Sequence, residues 1–235
     1  MTSKVVPLNK EQHKGLKLKP EINLTQFENA NSTTVALQEL PFAAVELPLV
    51  FVKGKEDDFV CIALMGDKEA KNYYLKDGKT RGNFIPASFT HYPLGLTPNP
   101  KDKEQVGVVI DIESKFVSET EGEAMFNEDG SETEFFSKRV QSMLNYFNSM
   151  RAMREFTGEL AKHDLLIPQG VKFGPEDSNN EVSGFFIVDE KKFNELSSEV
   201  FEEFRKKGYI GLIYTHLVSL KNIAKLASYI NSKDA

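Results

Sequence analysis

Apolar residues along this chain change their spacing twice, and each change marks a change of element. Up to residue 32 they are isolated Val, Leu and Ile in polar surroundings, the pattern of an extended arm that packs along a domain. From Thr33 to about Ile112 they gather into short runs rich in Val, Ile, Phe and Tyr, punctuated by Gly, Pro and Asp, which reads as strands and turns. The strands predicted are 34–37, 43–52, 59–65, 72–75 and 106–112. The runs 43–52 and 59–65 do not alternate, so they are expected at the centre of a sheet with both faces covered. Turns at 54–58 and at Lys76-Asp77-Gly78-Lys79, where Asp-Gly supplies the positive φ of a tight hairpin, make neighbouring strands antiparallel.

Near residue 131 the spacing becomes helical. Ser131-Glu132-Thr133-Glu134 has the form of a capping box, and Phe136, Val140, Met143, Phe147 and Met150 follow on one face. The apolar stripe is expected to continue towards Leu160, with the end of the helix set by Pro168. Residues 170–188 read as a hairpin around the polar loop 174–180. Two further helices are predicted, at about 191–206, opening after Asp189 and closing at Lys207-Gly208, and at about 210–230. The fold class is therefore α+β: a mostly antiparallel, strand-rich N-terminal half packed with three C-terminal helices and a β-hairpin. No repeat or low-complexity linker interrupts it, so 1–235 is expected as a single domain with an arm (1–32), a strand-rich part (33–130) and a helical part (131–235).

Composition adds limits. With 40% hydrophobic and 27% charged residues, and 18 Phe without any Trp, the chain has the material for an ordinary buried core. A net charge of -6 argues against nucleic acid, whose affinity rests on Lys and Arg, and the run Lys14 to Lys19 is too short to reverse that. The single cysteine, Cys61, excludes an internal disulfide and a multi-cysteine zinc site, and its apolar neighbours mark it as a small buried hydrophobe. The N-terminus lacks the apolar stretch and cleavage site of a secretory signal, and no run is long enough to span a bilayer. The expectation is a cytoplasmic protein, or a surface-associated one exported without a cleaved signal peptide.

The candidate chemistry is sparse. Glu46 sits in the apolar run Ala43-Ala44-Val45-Glu46-Leu47-Pro48, so burial would raise its pKa, unless it caps backbone amides or pairs with Arg81, Arg151 or Arg154. His91 and His216, flanked by Tyr92 and Tyr214, are the histidines best suited to a shared pocket, against the alternative of hydrogen-bonded core residues. The candidate catalytic residues are thus Glu46, His91, Tyr92 and His216. His13, His91, His163 and His216 lack metal-site spacing, His163-Asp164 lacks the further ligands of a phosphohydrolase, and Asn127-Glu128-Asp129-Gly130 is a turn because Met125 and Phe136 occupy the end positions of a calcium loop. No metal and no cofactor are expected. No nucleophile elbow, phosphate loop or dinucleotide fingerprint is present.

Six segments in order carry a resemblance: Val6-Pro7-Leu8-Asn9-Lys10-Glu11-Gln12-His13, Ala44 to Phe51, Phe84-Ile85-Pro86-Ala87-Ser88-Phe89 with His91-Tyr92-Pro93, Leu165-Leu166-Ile167-Pro168, Ser183 to Asp189, and Ile213 to Leu220. Together they resemble the SapC family of bacterial proteins. The resemblance implies an association with bacterial surface layers, and relatives are also encoded beside outer-membrane receptors and halogenase-like flavoproteins. It supplies no catalytic residues. Two functions are expected from this: a non-catalytic structural or assembly protein of a surface layer, envelope complex or virion-like particle, with a protein partner or self-assembly; or an accessory enzyme or small-molecule binder with a pocket between the strand region and the C-terminal helices.

Overall fold

The computed structural model describes residues 4–20, 24–55, 58–99, 102–172 and 181–232. In chain order these form β1 (Val5–Pro7), β2 (Lys17–Leu18), β3 (Ser32–Thr34), α1 (Leu40–Glu46), β4 (Leu49–Lys53), β5 (Phe59–Leu64), β6 (Leu75–Lys76), β7 (Lys79–Thr80), α2 (Ala87–His91), β8 (Leu94–Asn99) and β9 (Asp102–Asp111). Then follow β10 (Val117–Ser118), β11 (Glu123–Ala124), α3 (Glu134–Lys162), β12 (Leu166–Lys172), β13 (Glu181–Val188), α4 (Glu190–Asn194), α5 (Ser198–Lys206), α6 (Tyr209–Ser219) and α7 (Asn222–Asn231). The class is α+β, with antiparallel sheets and C-terminal helices packed on the strands. The chain folds as two compact units, one from the stretch up to Ile22 with Ala87–Asn148, the other from Asn23–Pro86 and Ser149 onward.

In the first unit the N-terminal arm becomes a strand. β1 pairs antiparallel with β9, Val6 opposite Ile110, and β9 pairs with β8. The buried carboxylate of Asp111 accepts from the Lys4 amide at 2.9 Å, and the Leu8 amide donates to the Val108 carbonyl at 2.8 Å, fastening the arm at both ends. Leu18, Leu94, Ile110, Met125, Phe126, Phe136 and Met143 fill this unit's core. The turn 127–130 closes on an Asn127 amide to Ser131 carbonyl bond, with Gly130 at φ 82°.

The second unit is built on a five-stranded sheet in the order β12-β13-β4-β5-β3, with β4 at its centre. Helices cover both faces, which is why β4 reads as an unbroken apolar run. Phe51 stacks on the His216 ring of α6 at 4.8 Å, while its neighbour Val50 packs with Leu226 of α7. Pro168 is tolerated because β12 is an edge strand. Asp77 and Gly78, at φ 53° and 71°, make the tight turn between β6 and β7.

Several boundaries differ from the sequence reading. The stretch 43–52 is not one strand: Pro41 opens α1, whose buried Leu40, Ala43 and Ala44 follow helical spacing, Leu47 is already extended, and β4 begins only at Leu49. Helix α3 is capped not by Ser131, which bonds to Asp129, but by Thr133, whose Oγ1 accepts from the Phe136 amide at 3.2 Å. It stops at Lys162, well before Pro168. Asp164 takes the left-handed conformation at φ 52°, and Leu165 donates to the Leu160 carbonyl while Asp164 donates to Ala161, a Schellman end. Of the predicted strand 72–75, only Leu75 is in β6.

The three expected C-terminal helical stretches are present, the second and third each broken once. Asp189 caps α4, its carboxylate accepting from the Lys191 and Lys192 amides at 3.0 and 3.1 Å, and the extended Ser197 starts α5 afresh. Gly208, at φ 75°, closes α5 as its position predicts. Between α6 and α7 the chain tightens to i→i+3 bonding, as from Lys221 to Val218 and from Ile223 to Leu220. The loop 174–180 lies outside the described residues.

Candidate functional site

The four sequence candidates divide between the units, Glu46 and His216 in the second, His91 and Tyr92 in the first. Each is best understood from the strand or helix end it serves.

His216 faces the seam between β4 and β13. Phe186 pairs with Phe51, so Val188 stands opposite Leu49 two residues further on. There the ladder gives way to side chains of α6. The Val188 amide donates to His216 Nε2 at 3.1 Å, and the Leu49 amide donates to Ser219 Oγ at 3.1 Å, while Ser219 donates to the His216 carbonyl at 2.6 Å. One position further along this spacing, Asn222 Nδ2 donates to the Ala44 carbonyl at 2.8 Å, holding the end of α1. His216, Ser219 and Asn222 are all buried, three residues apart, and they satisfy backbone groups that the parting strands leave open. Accepting at Nε2 places the ring proton on Nδ1, which lies against the Leu49 backbone without a well-formed hydrogen bond. Burial pulls the imidazole pKa down to about 4, so the ring is neutral.

Glu46, the last residue of α1, is held by the turn that follows β7. Its carboxylate accepts from the Tyr74 hydroxyl and from the amides of Asn83, at 2.9 Å, and Phe84, at 3.3 Å. Burial works to raise its pKa, but these hydrogen bonds, aided by the Lys225 charge, outweigh it and hold the carboxyl below its ordinary value. The Tyr74 phenol is pushed up, by burial first and then by the carboxylate it donates to. Gly82 leaves room for this arrangement: a Cβ there would run into the Glu46 carboxylate and come within 2.8 Å of the Tyr74 hydroxyl, so both would have to shift.

In the first unit His91 ends α2. Its Nε2 lies 3.2 Å from Ser142 Oγ, its ring meets Tyr146 edge-on at 5.4 Å, and burial, with the neighbouring Arg139 cation, lowers its pKa. Arg139 donates to the carbonyls of Thr90 and His91 at 3.0 and 3.4 Å, closing the helix end. Tyr92 donates to Asp111 Oδ2 at 2.9 Å, the carboxylate that also binds the arm. Cys61 is fully buried in β5, and burial, with the Glu39 charge, pushes its thiol up to about 12. Among the described residues no group of three or more His, Cys, Asp or Glu is placed to hold a metal ion.

Sequence reasoning missed the outer surface of the second unit. α1 lies beside α6, and Phe42 and Val45 on α1 are 69% and 71% exposed, Tyr214 and Val218 on α6 43% and 53%. Phe201 of α5, also exposed, reaches Tyr214 through the ring of Phe193, at 6.0 and 5.7 Å. The available signal was the spacing of Tyr214 and Val218 in a helix, Tyr209–Ser219, that contains no charged residue. On α1 the only charge is Glu46, which is turned to the amides of 83 and 84. The outward positions of α1 and α6 thus carry no charge, while Phe201 stands on the charged helix α5.

A two-unit α+β protein whose central strand is clamped by buried polar groups of a C-terminal helix is thus defined by its geometry. The SapC family model matches residues 8–226, and the chain belongs to the SapC family. No curated protein and no solved structure matches it. Five of the six segments that carried the resemblance lie wholly inside the matched range, and the last of them, Ile213 to Leu220, contains the His216 and Ser219 clamp. No helix among the described residues is long and apolar enough to cross a membrane.

Proposed function

We propose that this SapC-family chain is a non-catalytic assembly protein that docks an uncharged, apolar protein surface of a surface layer, envelope complex or virion-like particle. The observation that carries this reading is the exposed face formed by Phe42, Val45, Tyr214 and Val218. Contiguous exposed apolar surface on a folded protein marks an interaction site, because leaving it in water costs about 25 cal/mol per Å². The lack of charge on the outward sides of α1 and α6 favours a partner of the same character over a charged one such as nucleic acid or an anionic lipid surface. Supporting it, Glu46 and His216, the candidates of this unit, are engaged by backbone groups of the fold.

The test is affinity capture from the producing cells with three baits: the native chain, Tyr214→Glu and His91→Ala. The assembly reading expects one defined partner set, retained with His91→Ala and lost with Tyr214→Glu. Equal capture by the native and Tyr214→Glu baits would sink it.

A further inference from the structure

Gly211, Tyr214 and Val218 are the exposed positions of α6, each three or four residues from the last, so they form one ridge along its outer side. Phe42 and Val45 stand exposed on the neighbouring α1. Gly211 is helical, and a Cβ added there would meet nothing within 4 Å. The fold itself therefore has no need of a glycine at this place, and glycine weakens a helix relative to alanine. What the missing side chain does is lower the ridge, so that another backbone can come close. Thr215 turns its hydroxyl back along α6 and donates to the Gly211 carbonyl at 2.7 Å, which uses up the donor nearest the notch. The size of the face narrows the choice of occupant. At their exposures Phe42, Val45, Tyr214 and Val218 present roughly 400 Å² of apolar side chain, taking about 200 Å² for a whole aromatic residue. A stable dimer needs about 800 Å² from each partner. The face is therefore too small to hold a second copy of this chain by itself, and it matches the apolar stripe of one helix.

From this relief and size we propose that the face of α1 and α6 receives a single amphipathic α-helix of a protein partner, its apolar stripe on Phe42, Val45, Tyr214 and Val218 and its backbone close over Gly211. The proposal rests on the assembly reading and names what docks there. The partner helix carries apolar residues at i, i+3 or i+4, and i+7 on its docked side. No charge stands among them, because an ion set against these uncharged positions would lose its water and gain no counter-charge. The ridge from Gly211 to Val218 covers about 10 Å along α6, so a partner helix of about three turns is long enough to cover it.

The test places the photo-crosslinker p-benzoylphenylalanine in the full chain in place of Phe42 or, separately, of Val218, irradiates the producing cells and maps the peptide that is captured. A synthetic peptide of the mapped segment is then titrated against the native chain and against Gly211→Leu by fluorescence anisotropy, and its helix content is followed by circular dichroism. The expected result is that both positions capture one segment of another protein with the apolar spacing given above, and that its peptide gains helix on binding. Its Kd is expected to rise roughly tenfold or more in Gly211→Leu, where the new side chain fills the notch. The thermal midpoint of that variant should not fall, because leucine there meets open space and favours the helix. Capture of a second copy of this chain, no capture from either position, a peptide that binds without becoming helical, or an unchanged Kd in Gly211→Leu overturns the proposal. The assembly reading fails by a different result, equal capture by the native and Tyr214→Glu baits.

Discussion

The Nε2 of His216 and the backbone amide of Val188 stand 3.1 Å apart at the point where β13 parts from β4, so a helix side chain completes a sheet hydrogen bond. Removing the acceptor strands a buried donor and opens a void. His216→Ala is expected to lower stability by about 2–4 kcal/mol, and Ser219→Ala, which leaves the Leu49 amide unsatisfied, by about 1–3 kcal/mol. Urea denaturation of the two variants measures both. Changes under 0.5 kcal/mol would show that the clamp is not a stabilising device.

His216 also predicts a pH dependence. Its pKa falls from 6.5 to about 4 on folding. The unfolded chain therefore binds the extra proton first as pH drops. This contribution is complete above pH 6.5 and is lost as pH falls towards 4, amounting at most to about 3 kcal/mol. Denaturation midpoints measured from pH 7 to pH 4.5 should fall with a slope that His216→Gln flattens. A slope unchanged in that variant would assign the loss to other groups.

Much of this architecture is legible from the residues. Asp77-Gly78, Asp189 and Gly208 announce their turn, cap and stop because each does a local task with a local signature. What stayed hidden depends on distant partners. The run 43–52 is apolar but for Glu46, so α1 and β4 merge in sequence, and the packing of Ala43 and Ala44 separates them. His216 gave a histidine in an apolar helix but not the strand seam it serves. Ser219 and Asn222 went unnoticed, although polar residues three apart in an apolar helix were the available sign. The chemistry of Glu46 depended on amides 37 and 38 residues away, which no local pattern reports.

Gly82 and Glu46 should behave as one unit. Gly82→Ala forces a methyl into the Glu46 carboxylate and Tyr74 hydroxyl and is expected to cost about 1–3 kcal/mol in native Glu46, and less when Glu46 is Ala. A double-mutant cycle by denaturation reads the coupling. Strict additivity would contradict the close approach.

Cys61 provides a solvent-exclusion test of β5. With its thiol pushed up to about 12, it should resist a disulfide reagent at pH 8 in the native chain and react fully in denaturant. Rapid labelling of the native protein would mean that β5 opens readily.

Native mass spectrometry of the purified chain, with Phe42→Ser and Tyr214→Ser beside it, tests the central claim most directly. The account predicts a defined oligomer, or a stoichiometric complex once the partner is added, that disappears in both variants while each remains folded. A chain that stays monomeric with its partner candidates and carries a tightly retained organic ligand near His91 or His216 would contradict assembly through this face and favour chemistry at those histidines.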